Sequence, residues 1–153
     1  MGTGKEIIEM KSGLLHESNG QRIYALIFDI GDEVISELHK FAEDYSLAGS
    51  SFTAVGAFSD LVVGYFEWDK RDYKKISIEE QVEVLMLGGD IALDKGGPKI
   101  HAHVVVSKSD ATAHGGHLLE AHVRPTLEMI VQESPTHLRR KFDEDANITV
   151  IGI

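Results

Sequence analysis

The stretch RIYALIFDIGDEVISELHKFAEDYS, residues 22–46, places a buried strand directly before an amphipathic helix. In residues 22–30, aromatic and β-branched side chains fall on both faces, which is typical of a strand that is covered on both sides. From Asp32, which we expect to cap the helix, apolar residues follow i, i+3, i+4, i+7 spacing over about residues 32–46. The sequence therefore predicts one main helix.

The remainder of the chain is rich in β-forming residues. Residues 50–67 predict two strands or one long bent strand, with Gly56 and Gly64 where a bulge or bend is expected. A tight turn is expected at residues 95–98, and the polar segment 133–147 is expected to loop across the surface. Within residues 73–93 a strand is predicted in the stretch QVEVLMLGGDIAL, which reaches Gly88 and Gly89 and can continue beyond that kink. Further strands are predicted over residues 99–107, 117–122, 126–132 and 148–153. The predicted fold class is α+β, a mostly antiparallel sheet of about seven strands with one amphipathic helix.

Length and composition indicate a single domain spanning residues 1–153. The chain has 42% hydrophobic and 26% charged residues, which are the proportions of a globular protein. It has no cysteine, which excludes disulfides, thiolate chemistry, Cys-type zinc fingers and iron–sulfur clusters. Any transition metal must therefore be bound by His, Asp or Glu.

The charge of the chain limits its partners. With 25 acidic and 15 basic residues the formal charge is −10, so the phosphate backbone repels the protein and direct DNA binding is disfavoured. The N-terminal stretch MGTGKEIIEMKSG lacks the apolar core of a signal peptide, and no segment approaches the roughly 20 apolar residues that span a bilayer. We expect a cytoplasmic protein that does not bind membranes.

Two histidines lie two positions apart in the predicted strand KIHAHVVVS, residues 99–107. Because side chains alternate along a strand, His101 and His103 share one face, with their Cα atoms about 6.6 Å apart. Two imidazoles at that spacing can converge on one metal ion. With 8 histidines in 153 residues, however, a His-x-His pair arises by chance about 0.4 times, and either histidine could instead be a hydrogen-bonded core residue.

A third histidine, His117, begins the next predicted strand after a short connection over residues 107–116. A hairpin there can place His117 beside the pair, and Gly115 and Gly116 permit φ > 0 and a close backbone approach. His114, in the same connection, is the rival third ligand. We favour His117 because a strand holds a ligand more rigidly than a loop does. Three neutral imidazoles with a free fourth position are typical of catalytic zinc sites, whereas structural zinc usually has four protein ligands.

The order of these motifs resembles that of the plants and prokaryotes conserved (PPC) domain family. The resemblance covers roughly residues 20–132 and is carried by three motifs in sequence: His101-Ala102-His103, Gly115-Gly116-His117, and Val123-Arg124-Pro125-Thr126-Leu127-Glu128. It implies a sheet-rich fold with a single main helix, a homotrimer, and zinc held by His101, His103 and His117. Plant members carry an AT-hook that binds the minor groove of DNA, and no such Arg-Gly-Arg-Pro element occurs here.

Two kinds of function follow from the resemblance. The first is a zinc-binding trimeric module for a small-molecule or protein partner, with a DNA-binding label taken from its relatives. The alternative is a zinc-dependent lyase or hydrolase that uses the three histidines, because the fold is also similar to that of acetolactate decarboxylase. Glu83 or Glu128 would then act as a general acid or base, although a salt bridge is the simpler role for either carboxylate.

Overall fold

The structure is a computed structural model that describes residues 9–153. Residues 1–8, which belong to the stretch from which the lack of a signal peptide was predicted, lie outside the described part. The elements are β1 (Lys11–Ser18), β2 (Gln21–Phe28), α1 (Val34–Asp44), β3 (Gly49–Glu67), β4 (Asp72–Ile78), β5 (Val82–Asp94), β6 (Gly97–Ser107), β7 (Ala113–Glu133), β8 (Arg139–Asp143) and β9 (Ile148–Gly152). Within residues 9–153, no helix has the length and apolar character needed to cross a membrane.

The strands of residues 9–153 belong to one sheet. Nine strands are joined in the order β1-β2-β7-β3-β5-β8-β9, with β4 paired to β3 and β6 paired to both β5 and β7. Every pairing is antiparallel except the short one between β5 and β8. The predicted α+β class, a mostly antiparallel sheet with one helix, is confirmed. The sheet has more strands than the seven or so expected, because β1, β4 and β8 carry too little hydrophobic alternation to be recognised from sequence.

The helix lies against one face of this sheet. Val34, Leu38, Phe41 and Ala42 are buried, and each large apolar side chain removed from water contributes about 1.5–3 kcal/mol. The expectation that Asp32 caps the helix is wrong. The carboxylate of Glu33 accepts hydrogen bonds from the backbone N–H groups of Ile35 and Ser36.

Asp32 closes the preceding turn instead. Its carboxylate accepts a hydrogen bond of 2.7 Å from the backbone N–H of Asp29. The helix also ends earlier than predicted, at Asp44, and Ser46 adopts a positive φ of 54° that no helix continues through. The spacing of apolar residues was enough to predict where the helix lies in the sequence, because these residues form its buried face. The capping residue was not predictable, because it depends on the geometry of the preceding turn.

Two of the strands are long. Residues 50–67 lie in the single strand β3, the long bent strand that was one of the two predicted alternatives, and its register with β5 shifts between Ala54 and Gly56. A side chain at Gly56 would lie 2.7 Å from the Cα of Leu127, so a glycine is needed where β3 bends against β7. The strands predicted over 117–122 and 126–132 are one strand, β7, which runs through Pro125. Pro125 falls where the β3–β7 register is irregular, so no ladder hydrogen bond is lost there.

Candidate metal centre

His101 and His103 lie on one face of β6, as the alternation of the strand predicts. Their side chains flank the buried Ala102, and their Nε2 atoms are 3.1 Å apart. Their ring centroids are 5.0 Å apart, with the rings nearly perpendicular. Two ring nitrogens this close can bind the same ion.

His117 is brought to the pair by the β6–β7 hairpin. The chain turns at Lys108–Thr112, where the backbone N–H of Lys108 donates to the carbonyl of Thr112 over 3.0 Å. This turn places His117 directly opposite His103 in the antiparallel register. The His117 ring centroid is 5.3 Å from those of His101 and His103. One nitrogen from each of the three rings lies within 4.8 Å of the others, so the structure brings the three predicted ligands together.

His114 does not join this group. It lies three residues before His117 in the regularly paired part of β7, so its side chain points to the opposite face of the strand. The His114 ring is exposed, and its Nε2 is 3.1 Å from the hydroxyl of Thr112. The geometry therefore separates the two candidates for the third position that the sequence left open.

The glycines before His117 act through close packing. Neither Gly115 nor Gly116 has a positive φ, so that part of the expectation is wrong. The expected close approach is present: a Cβ at Gly116 would lie 2.8 Å from the carbonyl oxygen of Gly64, and one at Gly115 would overlap the carbonyl oxygen of Val104. Both glycines let β7 pack tightly between β3 and β6, and this packing holds His117 in place.

Burial favours the neutral form of the His117 ring and, to a smaller extent, that of the His103 ring by lowering the pKa of each. It lowers the pKa of His117 to about 4, and the nearby charges of His101, His103 and Lys99 add to this effect. Burial, followed by the charge of His101, also lowers the pKa of His103 below its ordinary value of 6.5. Neutral imidazoles at pH 7 have a free lone pair, which is the form that binds a metal ion.

The donor set fits a metal ion. Nδ1 of His117 is buried and has no hydrogen-bond partner among residues 9–153. A buried polar atom without a partner costs free energy, and a metal bond is one way to satisfy a ring nitrogen. Tyr73 packs on the same ring at a centroid distance of 4.7 Å, which restricts its rotation. Asp90 Oδ2 lies 3.7 Å from Nδ1 of His101, so this carboxylate borders the His101 ring without a direct hydrogen bond to it.

A cavity of about 570 Å³ adjoins the histidines. His101 and His117 lie in one wall, and the β8–β9 hairpin supplies much of the other. The expectation that residues 133–147 only loop across the surface is wrong, because Arg139–Asp143 forms β8 and the side chain of Arg140 is only 3% exposed. Arg140 donates a short hydrogen bond to the Asp90 carboxylate.

Tyr73, Asp90 and Arg140 were not predicted as parts of the site, although the partner of Asp90 could have been found. The turn at Lys95 and Gly96 pairs Asp94 with Gly97, and counting back along both strands pairs Asp90 with His101. Arg140 gave no such signal, because its segment is charged and lacks strand alternation.

The two glutamates considered as general acids or bases lie elsewhere. Glu83 is on the same strand as Asp90 but seven residues away, about 23 Å along an extended chain. Glu128 is eleven residues from His117 on β7, about 36 Å along an extended chain, and lines a different depression. Both are exposed, and neither lines the cavity beside the histidines.

Comparison with known families gives a match over most of the chain. The model of the Plants and Prokaryotes Conserved domain matches residues 15–135, which include all three histidines of the cluster. Among curated proteins, none matches this chain.

Three solved structures have closely similar folds. A metal-containing protein from Archaeoglobus fulgidus is 29% identical, with 86% of this chain and 93% of that chain covered and a TM-score of 0.79. A protein from Ralstonia eutropha, provisionally named as DNA-binding, is 29% identical, with 85% of this chain and 90% of that chain covered and a TM-score of 0.78. A plant- and prokaryote-conserved protein from Pyrococcus horikoshii is 26% identical, with 96% of this chain and 94% of that chain covered and a TM-score of 0.78.

A more distant likeness was also expected. The acetolactate decarboxylase of Bacillus subtilis is 12% identical, with a TM-score of 0.55 over 72% of this chain and 52% of that chain. This similarity is one of fold alone.

Proposed function

Because this chain belongs to the Plants and Prokaryotes Conserved domain family, we propose that it is a trimeric module that binds one zinc ion. His101, His103 and His117 hold the ion and leave a coordination position for an external ligand. The observation that carries the proposal is the convergence of three imidazole nitrogens within 4.8 Å of one another. The Archaeoglobus fulgidus relative is described as metal-containing, without a named metal, and this supports the metal-binding part of the proposal.

Zinc suits this donor set. Imidazole is a good ligand for zinc, copper, nickel and iron, whereas magnesium and calcium prefer oxygen. The group has three nitrogen donors and no carboxylate among residues 9–153, and zinc sites with three protein ligands keep a fourth position for water or substrate. A zinc ion there supplies Lewis-acid chemistry, polarising a carbonyl group or activating water. The protein's own residues orient the imidazoles, lower the pKa of His117 by burial, and border a cavity of about 570 Å³.

The proposal of a homotrimer is supported by an apolar patch on the sheet. Ile27, Val55, Met86 and Ile130 are 41%, 48%, 50% and 39% exposed and line one depression. Continuous exposed apolar surface of this kind is typical of a protein interface. A second copy of the chain is the partner that the family resemblance implies.

Zinc binding is tested by competition between the metal-free protein and a chromophoric zinc chelator. We expect the protein to withdraw zinc from the chelator. At zinc concentrations about 1,000 times Kd, binding should stabilise the fold by about 4 kcal/mol and raise the thermal midpoint. Unchanged chelator absorbance together with an unchanged midpoint would reject the proposal.

An enzymatic role is the second candidate, and the cavity beside the histidines is the observation that favours it. Neither Glu83 nor Glu128 lies close enough to assist, so we place the binding module first. A screen of keto acids, esters and phosphoesters with zinc-loaded protein separates the two. Turnover that disappears when zinc is removed would establish a lyase or hydrolase.

A further inference from the structure

The cavity beside the histidines differs in charge from the rest of the molecule. Its charged lining residues are Lys99, Arg140 and Asp90, two cations and one anion, so the cavity carries a net charge of +1. The whole chain carries −10. A positive cavity in an acidic protein attracts small anions while the remaining surface repels large ones.

Arg140 has more hydrogen-bonding capacity than the protein uses. A guanidinium has five N–H donors in a planar fork, and the side chain of Arg140 has only one hydrogen bond, to Asp90, within residues 9–153. Its Nε is buried without a partner among the same residues. With its side chain 3% exposed, Arg140 is fixed in the cavity wall and is not free to reach bulk water.

Lys99 extends the cationic surface toward the histidines. It lies two residues before His101 on β6, so both side chains are on the same face of the strand. Its ammonium is held 2.8 Å from the hydroxyl of Thr149 on β9 and 3.4 Å from the carboxylate of Asp94. Asp94 contacts the Lys99 ammonium from outside the cavity and is not a lining residue, so the charge of +1 is that of the lining residues alone.

The other walls of the cavity are largely apolar. Tyr73, Ile100 and Phe142 lie there together with Ile148, Val150 and Ile151 of β9. A volume of about 570 Å³ is within the range of small-molecule sites. Apolar walls around a cationic side therefore suit a ligand that has both a negative group and a hydrocarbon part.

From this arrangement, we infer that the cavity binds a small organic carboxylate. Arg140 and Lys99 bind the carboxylate group, and the apolar walls contact its carbon chain. Arg140, Phe142 and Thr149 lie beyond residues 15–135, the part matched by the family model, so the β8–β9 hairpin adds the ligand selectivity to the metal-binding core. The inference rests on the proposed function, since the ligand shares its cavity with the zinc ion.

The test is a titration followed by amide NMR shifts, with butyrate as the probe and butyramide as its neutral counterpart. We expect butyrate to shift cavity signals in a saturable way, with at least about tenfold weaker binding of butyramide, because a hydrogen bond to a charged group is worth about 1.5–3 kcal/mol. Equal binding of the two probes would overturn the inference. Tighter binding of inorganic phosphate than of butyrate would also overturn it.

Matched variants locate the site. Lys99→Gln removes one cation at a side chain that is 48% exposed and should weaken butyrate binding about tenfold. Arg140→Lys keeps the charge but loses the planar fork of N–H donors, and it should also weaken butyrate binding about tenfold. Lys40→Gln, on the outer face of α1, should leave binding unchanged. If Arg140→Lys fails to fold, the affinity of Lys99→Gln for butyrate still tests the proposed site. Wild-type affinity in Lys99→Gln would show that butyrate does not bind in this cavity.

Running the titration with and without zinc separates this inference from the proposed function. Lys99-dependent butyrate binding without any zinc binding would contradict only the metal site. Zinc binding without butyrate binding would contradict only the carboxylate site.

Discussion

At the scale of single residues, burial favours the neutral form of His117, which is the form that the proposed metal site needs. The strand places its ring between β3 and β6, Tyr73 packs against it, and its pKa falls to about 4, mainly through burial. The proximity of the three histidines was predictable, because alternation along a strand and one hairpin are enough to relate His101, His103 and His117. The neutral state of the ring depends on packing that no local pattern of sequence encodes.

His122 provides a contrast at the same scale. Its Nδ1 is 2.8 Å from the Asp60 carboxylate, and this hydrogen bond raises its pKa above the ordinary value of 6.5. Burial opposes ionisation of Asp60, but the hydrogen bonds from His122 and Ser59 outweigh it and lower the pKa of that carboxyl. Because the folded state favours protonated His122, the pair stabilises the fold below pH 6.5, and this contribution is lost as pH rises through the raised pKa.

We expect Asp60→Asn to lower the pKa of His122, measured from the pH dependence of its ring proton NMR signals. The stability difference between wild type and variant should be largest between about pH 4 and 6.5 and should shrink at higher pH. A His122 pKa that is the same in both proteins would show that Asp60 does not set it.

At the scale of elements, the helix and the strands that bury a periodic apolar face were the ones that could be predicted from the sequence. The helix and the strands β2, β3, β6 and β7 were recognised in this way, with errors at their ends. β1 is exposed along its whole length and β8 along much of it, so neither has alternation to detect. The cavity wall supplied by β8 and β9 was therefore not predictable from local patterns.

The Gly115 position tests whether tight packing between β6 and β7 holds the site together. Gly115→Ala should destabilise the fold by about 1–3 kcal/mol, because the added Cβ would overlap the Val104 carbonyl, and it should also weaken zinc binding. Urea denaturation and chelator competition measure the two effects. Gly13→Ala is the matched control, since a Cβ there meets nothing within 4 Å. Equal stability of the two variants would contradict the packing argument.

At the scale of the whole molecule, the distribution of charge and apolar surface defines the expected partners. The chain has a formal charge of −10, whereas the residues that line the cavity have a net formal charge of +1. An apolar patch lies on the sheet. A small anion and further copies of the chain fit these surfaces better than a nucleic acid does.

The homotrimer is tested by mass in solution, using light scattering after size exclusion. We expect wild-type protein to have the mass of three chains. Ile130→Glu, within the apolar patch, should reduce the mass to that of one chain, because a charge would be buried at the interface. Ile76→Glu is the control, since Ile76 is 41% exposed against 39% for Ile130 but lies outside the patch. A monomeric wild type, or dissociation of both variants, would contradict the trimer.

Direct DNA binding is tested by fluorescence anisotropy with labelled duplex DNA at about 150 mM salt. We expect no saturable binding by the zinc-loaded protein, because its −10 charge opposes association with the phosphate backbone. Tight binding at this salt concentration would make the name given to the Ralstonia eutropha relative the better description.

The central claim is that His101, His103 and His117 together bind one metal ion. The most direct measurement is the zinc content per chain, by elemental mass spectrometry after loading and removal of free zinc, for wild type, His103→Ala and the control His114→Ala. Both substituted side chains are exposed, so neither change should unfold the protein. We predict one zinc ion per chain in wild type and His114→Ala and a large loss in His103→Ala. Equal zinc content in all three proteins, or no zinc in wild type, would contradict the claim.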